Sequence, residues 1–151
     1  MPTGPAPAPA LLVSACLLGV RCNHRGEASP SAAVAQLEDR YHLVPICPET
    51  AGGLATPRPA AERQADGTVR TEAGDDVTWA YRRGADAAVA IARTMGATEA
   101  VLKARSPSCG CAVVYDGTFT RTTTPGEGVT AAALRAAGVA VRSEEDVSAD
   151  R

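Results

Sequence analysis

Three short apolar segments constrain the fold most, because each leads to a cysteine that lies in or next to a turn rich in glycine, proline or serine. The first begins at Leu11 and reaches Cys16. The second ends on Cys47, and the third leads to Cys109. Short all-apolar segments are typical of parallel strands that are buried on both faces. If the three are neighbouring strands, their carboxyl ends meet at one sheet edge, where α/β proteins bind ligands. The sequence therefore predicts that the three thiols share one site.

Helical segments alternate with these strands. The Ser29-Pro30 pair is typical of a helix start, and apolar residues at helical spacing predict a longer helix that stops at Gly96. The Asp66-Gly67 and Asp116-Gly117 pairs indicate β-hairpins. This order predicts an α/β fold, a single-domain three-layer sandwich with a mostly parallel, Rossmann-like sheet and one or two small hairpins. The predicted elements are strands at 11–15, 41–46, 100–103 and 139–142, helices at about 30–40, 77–95 and 128–137, and hairpins at 63–71 and 112–121.

The length of 151 residues is typical of one domain. Residues 1–10 are rich in proline and alanine and predict a disordered tail. Residues 11–145 are expected to form a single catalytic domain, and residues 146–151 a frayed tail. Aromatic residues make up only 3% of the chain, so the core must be built from alanine, valine and leucine.

Charge and hydropathy argue against several classes of protein. The net charge is −2 and no dense stripe of lysine and arginine is present, which argues against nucleic acid as a partner, although a structured tRNA could use a local patch. The apolar run at 10–20 is too short to span a bilayer. The sequence VSAC at 13–16 is similar to a lipoprotein cleavage site, but no lysine or arginine precedes it. We expect a cytoplasmic monomer or homodimer that acts on a small molecule and does not bind a membrane.

Five cysteines in a cytoplasmic chain indicate metal ligands or catalytic groups before disulfides, and their spacing is not that of a zinc finger or ribbon. Three thiolates suit an iron–sulfur cluster in which the fourth iron has no protein ligand. An open coordination position is typical of metal centres that bind substrate. Because iron in such a cluster is soft, the open position favours sulfur over oxygen. The sequence thus points to a sulfur-bearing substrate.

Other polar residues lie close to these cysteines. Glu49 follows Cys47 by two residues, so its carboxylate is expected to reach the same pocket and transfer protons there. Alternatively, it accepts backbone N–H groups or caps a helix. Ser106 and Ser108 flank Pro107, and one of them could hold substrate or relay a proton; the alternative is turn chemistry.

Four spaced motifs resemble the thiouracil desulfurase family of iron–sulfur desulfidases over about residues 11–145: SACLLGVRC, ICPETAGGLATPRP, KARSPSCG, and YDGTF followed by GEGVTAAAL. The resemblance implies a [4Fe-4S] cluster held by Cys16, Cys47 and Cys109. It also implies that the fourth iron binds the sulfur of a thiolated pyrimidine such as 2-thiouracil. Water then replaces that sulfur and sulfide is released without net redox chemistry. The resemblance assigns Glu49 as the acid and base, and Ser106 as its partner.

The chain departs from the family pattern at two positions. His24 stands where an aromatic residue is common, and Cys111 stands where a small residue is expected. Cys22 matches the motif but is not one of the three ligands, so it is either a free thiol near the cluster or a resting occupant of the open iron. Two other functions stay open, namely a metal-binding or redox-sensing module without catalysis and a tRNA thiolation or dethiolation enzyme. The weaker candidates for substrate binding are Cys22, His24, Ser108, Gly52 and Gly53.

Overall fold

A computed structural model describes residues 7–149. Its strands are β1 (Ala10–Ser14), β2 (His42–Ile46), β3 (Ala61–Arg63), β4 (Val69–Thr71), β5 (Glu99–Leu102), β6 (Val113–Tyr115), β7 (Thr123–Pro125) and β8 (Ala140–Ser143). Its α-helices are α1 (Ala32–Ala35), α2 (Pro48–Ala51), α3 (Thr78–Met95), α4 (Val129–Ala136) and α5 (Glu144–Ala149), with 3-10 turns at Ala15–Leu18 and Gln36–Asp39. Among the described residues, no helix is both long and apolar enough to cross a membrane.

The main sheet has four parallel strands in the order β2-β1-β5-β8. The two antiparallel pairs, β3-β4 and β6-β7, are separate hairpins. After β2 the chain crosses β1 to form β5 on its other side, so the winding direction reverses between β1 and β5. Such a switch point opens a crevice at the carboxyl ends of the strands.

Side chains of the sheet alternate between two buried cores, as expected for strands covered on both faces. Leu12 and Leu102 pack on one face with residues of α3 and α4. Leu11 and Val101 pack on the other face with Val34 of α1 and with residues of α5. The sheet is therefore the middle of three layers, and the predicted α/β class is confirmed.

Two glycines bring α2 and α3 into close contact. A Cβ atom at Gly52 would lie 1.9 Å from the carbonyl oxygen of Ala80, and one at Gly84 would lie 1.9 Å from that of Pro48. No side chain fits at either distance, so both positions require glycine. This packing places α2, which the sequence did not predict, against the long helix directly after β2.

The helix predicted to start at Ser29-Pro30 starts two residues later. The backbone N–H groups of Ser29 and Ser31 donate to the carbonyls of Cys16 and Leu17, which keeps this segment extended along the first 3-10 turn. Ser31 is the N-cap, and its hydroxyl accepts the Val34 N–H at 3.3 Å. The predicted cap at Ser29 is therefore wrong.

The second predicted hairpin and both tails also differ from expectation. Strand β7 begins at Thr123, since residues 117–122 form a wide loop and not a strand. Residues 146–151 were expected to fray, but helix α5 extends to Ala149. Ser143 caps this helix, because its hydroxyl accepts the N–H groups of Glu145 and Asp146. At the other end, Ala10 belongs to β1. Residues 1–6 of the expected disordered tail, and residues 150–151, lie outside the described residues.

Candidate metal centre and active site

A cavity of about 510 Å³ lies at the carboxyl ends of β1, β2 and β5, at the switch point of the sheet. The three cysteines that follow these strands all line it. Other residues that line it are Ser14, Cys22, His24, Ser29, Glu49, Glu62, Lys103, Ser106, Tyr115, Phe119 and Arg121. Residues far apart in the sequence are thus gathered at the sheet edge where the sequence predicted them.

Each of the three cysteines is positioned by local structure. Cys16 lies in the 3-10 turn after β1, which ends because Gly19 adopts a left-handed conformation with φ of 95°. Cys47 follows β2 directly and is the N-cap residue of α2. Cys109 ends a turn in which the Ser106 hydroxyl accepts the backbone N–H groups of Ser108 and Cys109, both at 3.1 Å.

Burial keeps the thiols of Cys16 and Cys109 protonated in the metal-free protein. It raises the pKa of Cys16 to about 11, and the nearby Cys47 adds to the shift. Burial likewise raises the pKa of Cys109 to about 12, against a smaller opposing effect of the Ser14 hydrogen bond. Metal ligation must therefore displace protons from these sulfurs.

The donor chemistry of the three cysteines fits an iron–sulfur cluster. Cys16, Cys47 and Cys109 all line the same cavity and offer three sulfur donors. An all-sulfur donor set is what iron–sulfur clusters use.

The Glu49 carboxylate is held at both oxygens. Tyr81 of α3 donates its hydroxyl to Oε1, and Arg58 donates from Nη2 to Oε2 at 2.8 Å. Burial raises the pKa of Tyr81, as does the charge of Glu49, so the phenol stays protonated and donates. Burial alone would lower the pKa of Arg58, but Glu49 reverses the effect and raises it. The sequence analysis missed both Tyr81 and Arg58 as partners of Glu49.

Ser14 was also missed. It is the last residue of β1 and is 3% exposed. Its hydroxyl donates to Cys109 Sγ at 3.3 Å and accepts the backbone N–H of Lys103 at 2.9 Å. It therefore connects β1 and β5 at the switch point.

The family of the chain follows from comparison with known proteins. The family model described as 2-thiouracil desulfurase matches residues 11–146. The chain belongs to this family. YbbK of Bacillus subtilis (strain 168), described as uncharacterized, is 40% identical over 147 residues, which cover 91% of this chain and 97% of YbbK. The solved structure of the [4Fe-4S]-dependent thiouracil desulfidase TudS is 42% identical, with a TM-score of 0.85 over 93% of this chain and 94% of TudS.

Within this family member, Cys22 and His24 lie at the cavity. Cys22 is 7% exposed, and burial followed by the proximity of Cys47 raises its pKa to about 12. The Cys47 thiol donates to the Cys22 carbonyl at 3.6 Å. His24 is exposed at the rim, where burial of its ring and the charge of Arg25 lower its pKa and favour the neutral imidazole.

The remaining candidates lie outside the cavity lining of the described residues. Ser108 is buried, and its hydroxyl pairs with that of Thr130 at 2.8 Å. Gly52 is at the contact of α2 with α3, and the neighbouring Gly53 has a left-handed backbone. Cys111 is buried, which raises its pKa.

One wall of the cavity was not predicted. Tyr115, the last residue of β6, and Phe119, in the loop of the second hairpin, line it. Phe119 has a φ of 58°, a left-handed conformation that is uncommon for a bulky residue. The loop is held by the buried Glu62 of β3, whose Oε1 accepts the N–H groups of Gly117 at 3.0 Å and Phe119 at 3.1 Å. The two hairpins thus form one rigid side of the cavity.

Proposed function

We propose that this protein is an iron–sulfur-dependent desulfurase that removes sulfur from a thiolated pyrimidine such as 2-thiouracil by hydrolysis. The observation that carries the proposal is that Cys16, Cys47 and Cys109 line one cavity with Glu49, in a member of the 2-thiouracil desulfurase family. The likeness to TudS, a [4Fe-4S]-dependent thiouracil desulfidase, supports both the cofactor and the substrate class.

The three cysteines hold the proposed [4Fe-4S] cluster, and their soft sulfur donors suit iron. When bound, the cluster supplies an iron without a protein ligand, which acts as a Lewis acid toward the thiocarbonyl sulfur. All five cysteines are unpaired, consistent with a reducing compartment, and we place the protein in the cytoplasm. We keep a monomer or homodimer as the expected state.

Glu49 is the proposed acid and base. Each of its oxygens accepts one hydrogen bond and keeps a lone pair for a proton. It takes a proton from water as the water oxygen bonds to the ring carbon, and returns it to sulfur as the C–S bond breaks. One 2-thiouracil and one water become one uracil and one hydrogen sulfide, so no oxidant or reductant is consumed.

Ser106 is the proposed hydrogen-bond donor to the substrate. Its oxygen already accepts two backbone N–H groups, so its own hydrogen remains free to donate into the cavity. The same two bonds define the turn that carries Cys109. Turn formation and substrate binding are therefore both roles of this residue.

Anaerobic reconstitution with iron and sulfide, followed by turnover of 2-thiouracil, tests the proposal. Wild type should bind iron and release sulfide. Glu49→Gln should keep its iron and lose activity by about 10²–10⁴-fold, as expected for a general acid and base. Glu38→Gln is the matched control, because Glu38 is exposed and does not line the cavity. Iron binding with equal rates in wild type and Glu49→Gln would contradict the assigned role.

The same experiment separates the two alternative functions. Iron binding without release of sulfide from any thiolated pyrimidine base or nucleoside would favour a metal-binding or redox-sensing module. Activity on thiolated tRNA, accompanied by a gel shift with bulk tRNA at physiological salt, would favour the tRNA enzyme. A wild-type protein that binds no iron would contradict the cluster itself.

A further inference from the structure

Ser14 offers a hydroxyl to a proposed cluster ligand at a place where its orientation is determined. The residue ends the central strand β1 and is 3% exposed. Cys109 Sγ is 3.3 Å from its Oγ, and the two residues are 95 positions apart in the sequence. Their contact therefore depends on the tertiary fold.

The direction of this hydrogen bond follows from the second partner of Ser14. A hydroxyl has one hydrogen to donate and two lone pairs. The backbone N–H of Lys103 donates to the Ser14 oxygen at 2.9 Å, which uses a lone pair and leaves the hydrogen for another acceptor. The sulfur of Cys109 lies within reach as that acceptor, and β5 holds the Lys103 contact in place because Lys103 directly follows it.

We propose that Ser14 is a positioning residue that donates a hydrogen bond to the cluster-bound sulfur of Cys109 and tunes the cluster. The inference rests on the proposed function, since it assumes that Cys109 is a ligand. A hydrogen bond to a thiolate is stronger than one to a thiol because the acceptor is charged. The bond withdraws electron density from the sulfur, and hydrogen bonds to cluster sulfurs are among the factors that set cluster potentials.

Two consequences follow for the enzyme. The hydroxyl stabilises the more electron-rich reduced cluster, so it raises the reduction potential. It also restricts the orientation of the Cys109 side chain, as hydrogen-bond partners of metal ligands do. The iron that binds substrate should therefore be more electrophilic with Ser14 present, although the reaction transfers no net electrons.

Ser108 is the other hydroxyl next to this ligand, and the structure distinguishes the two. The Ser108 oxygen pairs with the Thr130 hydroxyl at 2.8 Å, so its hydrogen has a competing acceptor. The other partner of Ser14 is the backbone N–H of Lys103, which is a donor and cannot accept a hydrogen bond. It therefore does not compete with Cys109 for the hydroxyl hydrogen of Ser14. Ser14 is therefore the residue to test.

The experiment measures the midpoint potential of the reconstituted cluster in wild type, Ser14→Ala and Ser14→Thr. The alanine variant should assemble a cluster whose potential is more negative, and should lose iron to a chelator several-fold faster. The threonine variant keeps a hydroxyl and should restore the wild-type potential. Ser29→Ala is the matched control: Ser29 lines the same cavity, and it should leave the potential unchanged.

An alanine variant with the wild-type potential and iron retention would overturn the inference, as would a threonine variant shifted as far as alanine. If alanine prevents folding, resonance Raman spectra of the wild type decide the question. Iron–sulfur stretching bands that shift in D₂O, and shift equally in Ser14→Thr, support an O–H donor to sulfur, whereas bands that do not shift exclude it. Failure of the proposed function has a different signature, because the wild type itself would then take up no cluster.

Discussion

Arg58 places its Nη2 atom 2.8 Å from Glu49 Oε2 and 2.8 Å from the carbonyl oxygen of Cys22. The Arg58 side chain is 5% exposed and that of Glu49 is 18% exposed, so this ion pair is largely removed from water. A guanidinium in such a position is retained only if its charge is compensated. One cation therefore connects the proposed acid and base to the loop that carries Cys22 and His24.

Replacement of this cation should impair turnover more than cluster binding. Arg58→Gln leaves Glu49 and the Cys22 carbonyl without a charged donor. We expect a loss of kcat of about 10- to 100-fold, since hydrogen bonds to charged groups contribute about 1.5–3 kcal/mol. Arg58→Lys keeps the charge but not the planar fork and should recover part of the loss. Iron content and kcat of the reconstituted variants measure the effect, and loss of iron in proportion to activity would contradict it.

The wall formed by Phe119 should select flat, ring-shaped substrates. Phe119→Leu removes the aromatic face but keeps apolar bulk, and we expect the KM for 2-thiouracil to rise about 2- to 10-fold, because aromatic pairs contribute about 0.5–1.5 kcal/mol beyond burial. An acyclic thioamide such as thioacetamide, which cannot stack, serves as the comparison substrate. An equal change of KM for both substrates would indicate a general effect on the cavity.

The position of Phe119 depends in turn on Glu62. Glu62→Ala removes the acceptor of the Gly117 and Phe119 N–H groups. The loop that carries Phe119 should then no longer be held in its left-handed conformation. We therefore expect it to raise the KM for 2-thiouracil at least as much as Phe119→Leu does. Glu62→Gln keeps a carbonyl acceptor and should have a smaller effect. Kinetics of the three variants with equal iron content provide the measurement.

The strands of this protein were predictable because their signal is local. Apolar segments bounded by glycine, proline and polar residues placed the first strand at 11–15, against the observed Ala10–Ser14. The gathering of Cys16, Cys47 and Cys109 followed from parallel pairing alone. The short helix α2 was not predicted, since four residues are too few for a periodic pattern.

The partners of the site residues could not be derived from sequence periodicity. Ser14 meets Cys109, and Tyr81 meets Glu49, across 95 and 32 positions of the chain. Such contacts depend on the side-by-side packing of β1 with β5 and of α2 with α3. The one sequence signal for Ser14 and Arg58 was that both belong to the motifs that resemble the family. Ser14 is the first residue of SACLLGVRC, and Arg58 lies near the end of ICPETAGGLATPRP.

The metal-free protein should lose stability in alkaline solution because of its buried thiols. The pKa of Cys109 rises from 9.0 to about 12 on folding, so between these values the folded state binds more protons than the unfolded state. By linkage, the free energy of unfolding falls as the pH rises through that range, and the contribution is fully present below about pH 9. Urea unfolding of reduced wild type and Cys109→Ala at about pH 8 and about pH 10 should show the steeper loss in wild type. Parallel losses would contradict the assignment to this thiol.

Cys16 and Cys22 should differ sharply as alanine variants, although they are six residues apart and line the same cavity. Cys16→Ala removes a proposed ligand and should abolish both the iron and the release of sulfide from 2-thiouracil. Cys22→Ala should keep the cluster and most of the activity, because the substitution preserves the backbone carbonyl of residue 22 and the hydrogen bonds that Arg58 and Cys47 donate to it. Iron analysis and absorption spectra after anaerobic reconstitution distinguish the two. Loss of iron in Cys22→Ala, with iron retained in Cys16→Ala, would exchange their roles. Cys22 would then be a cluster ligand and Cys16 would not.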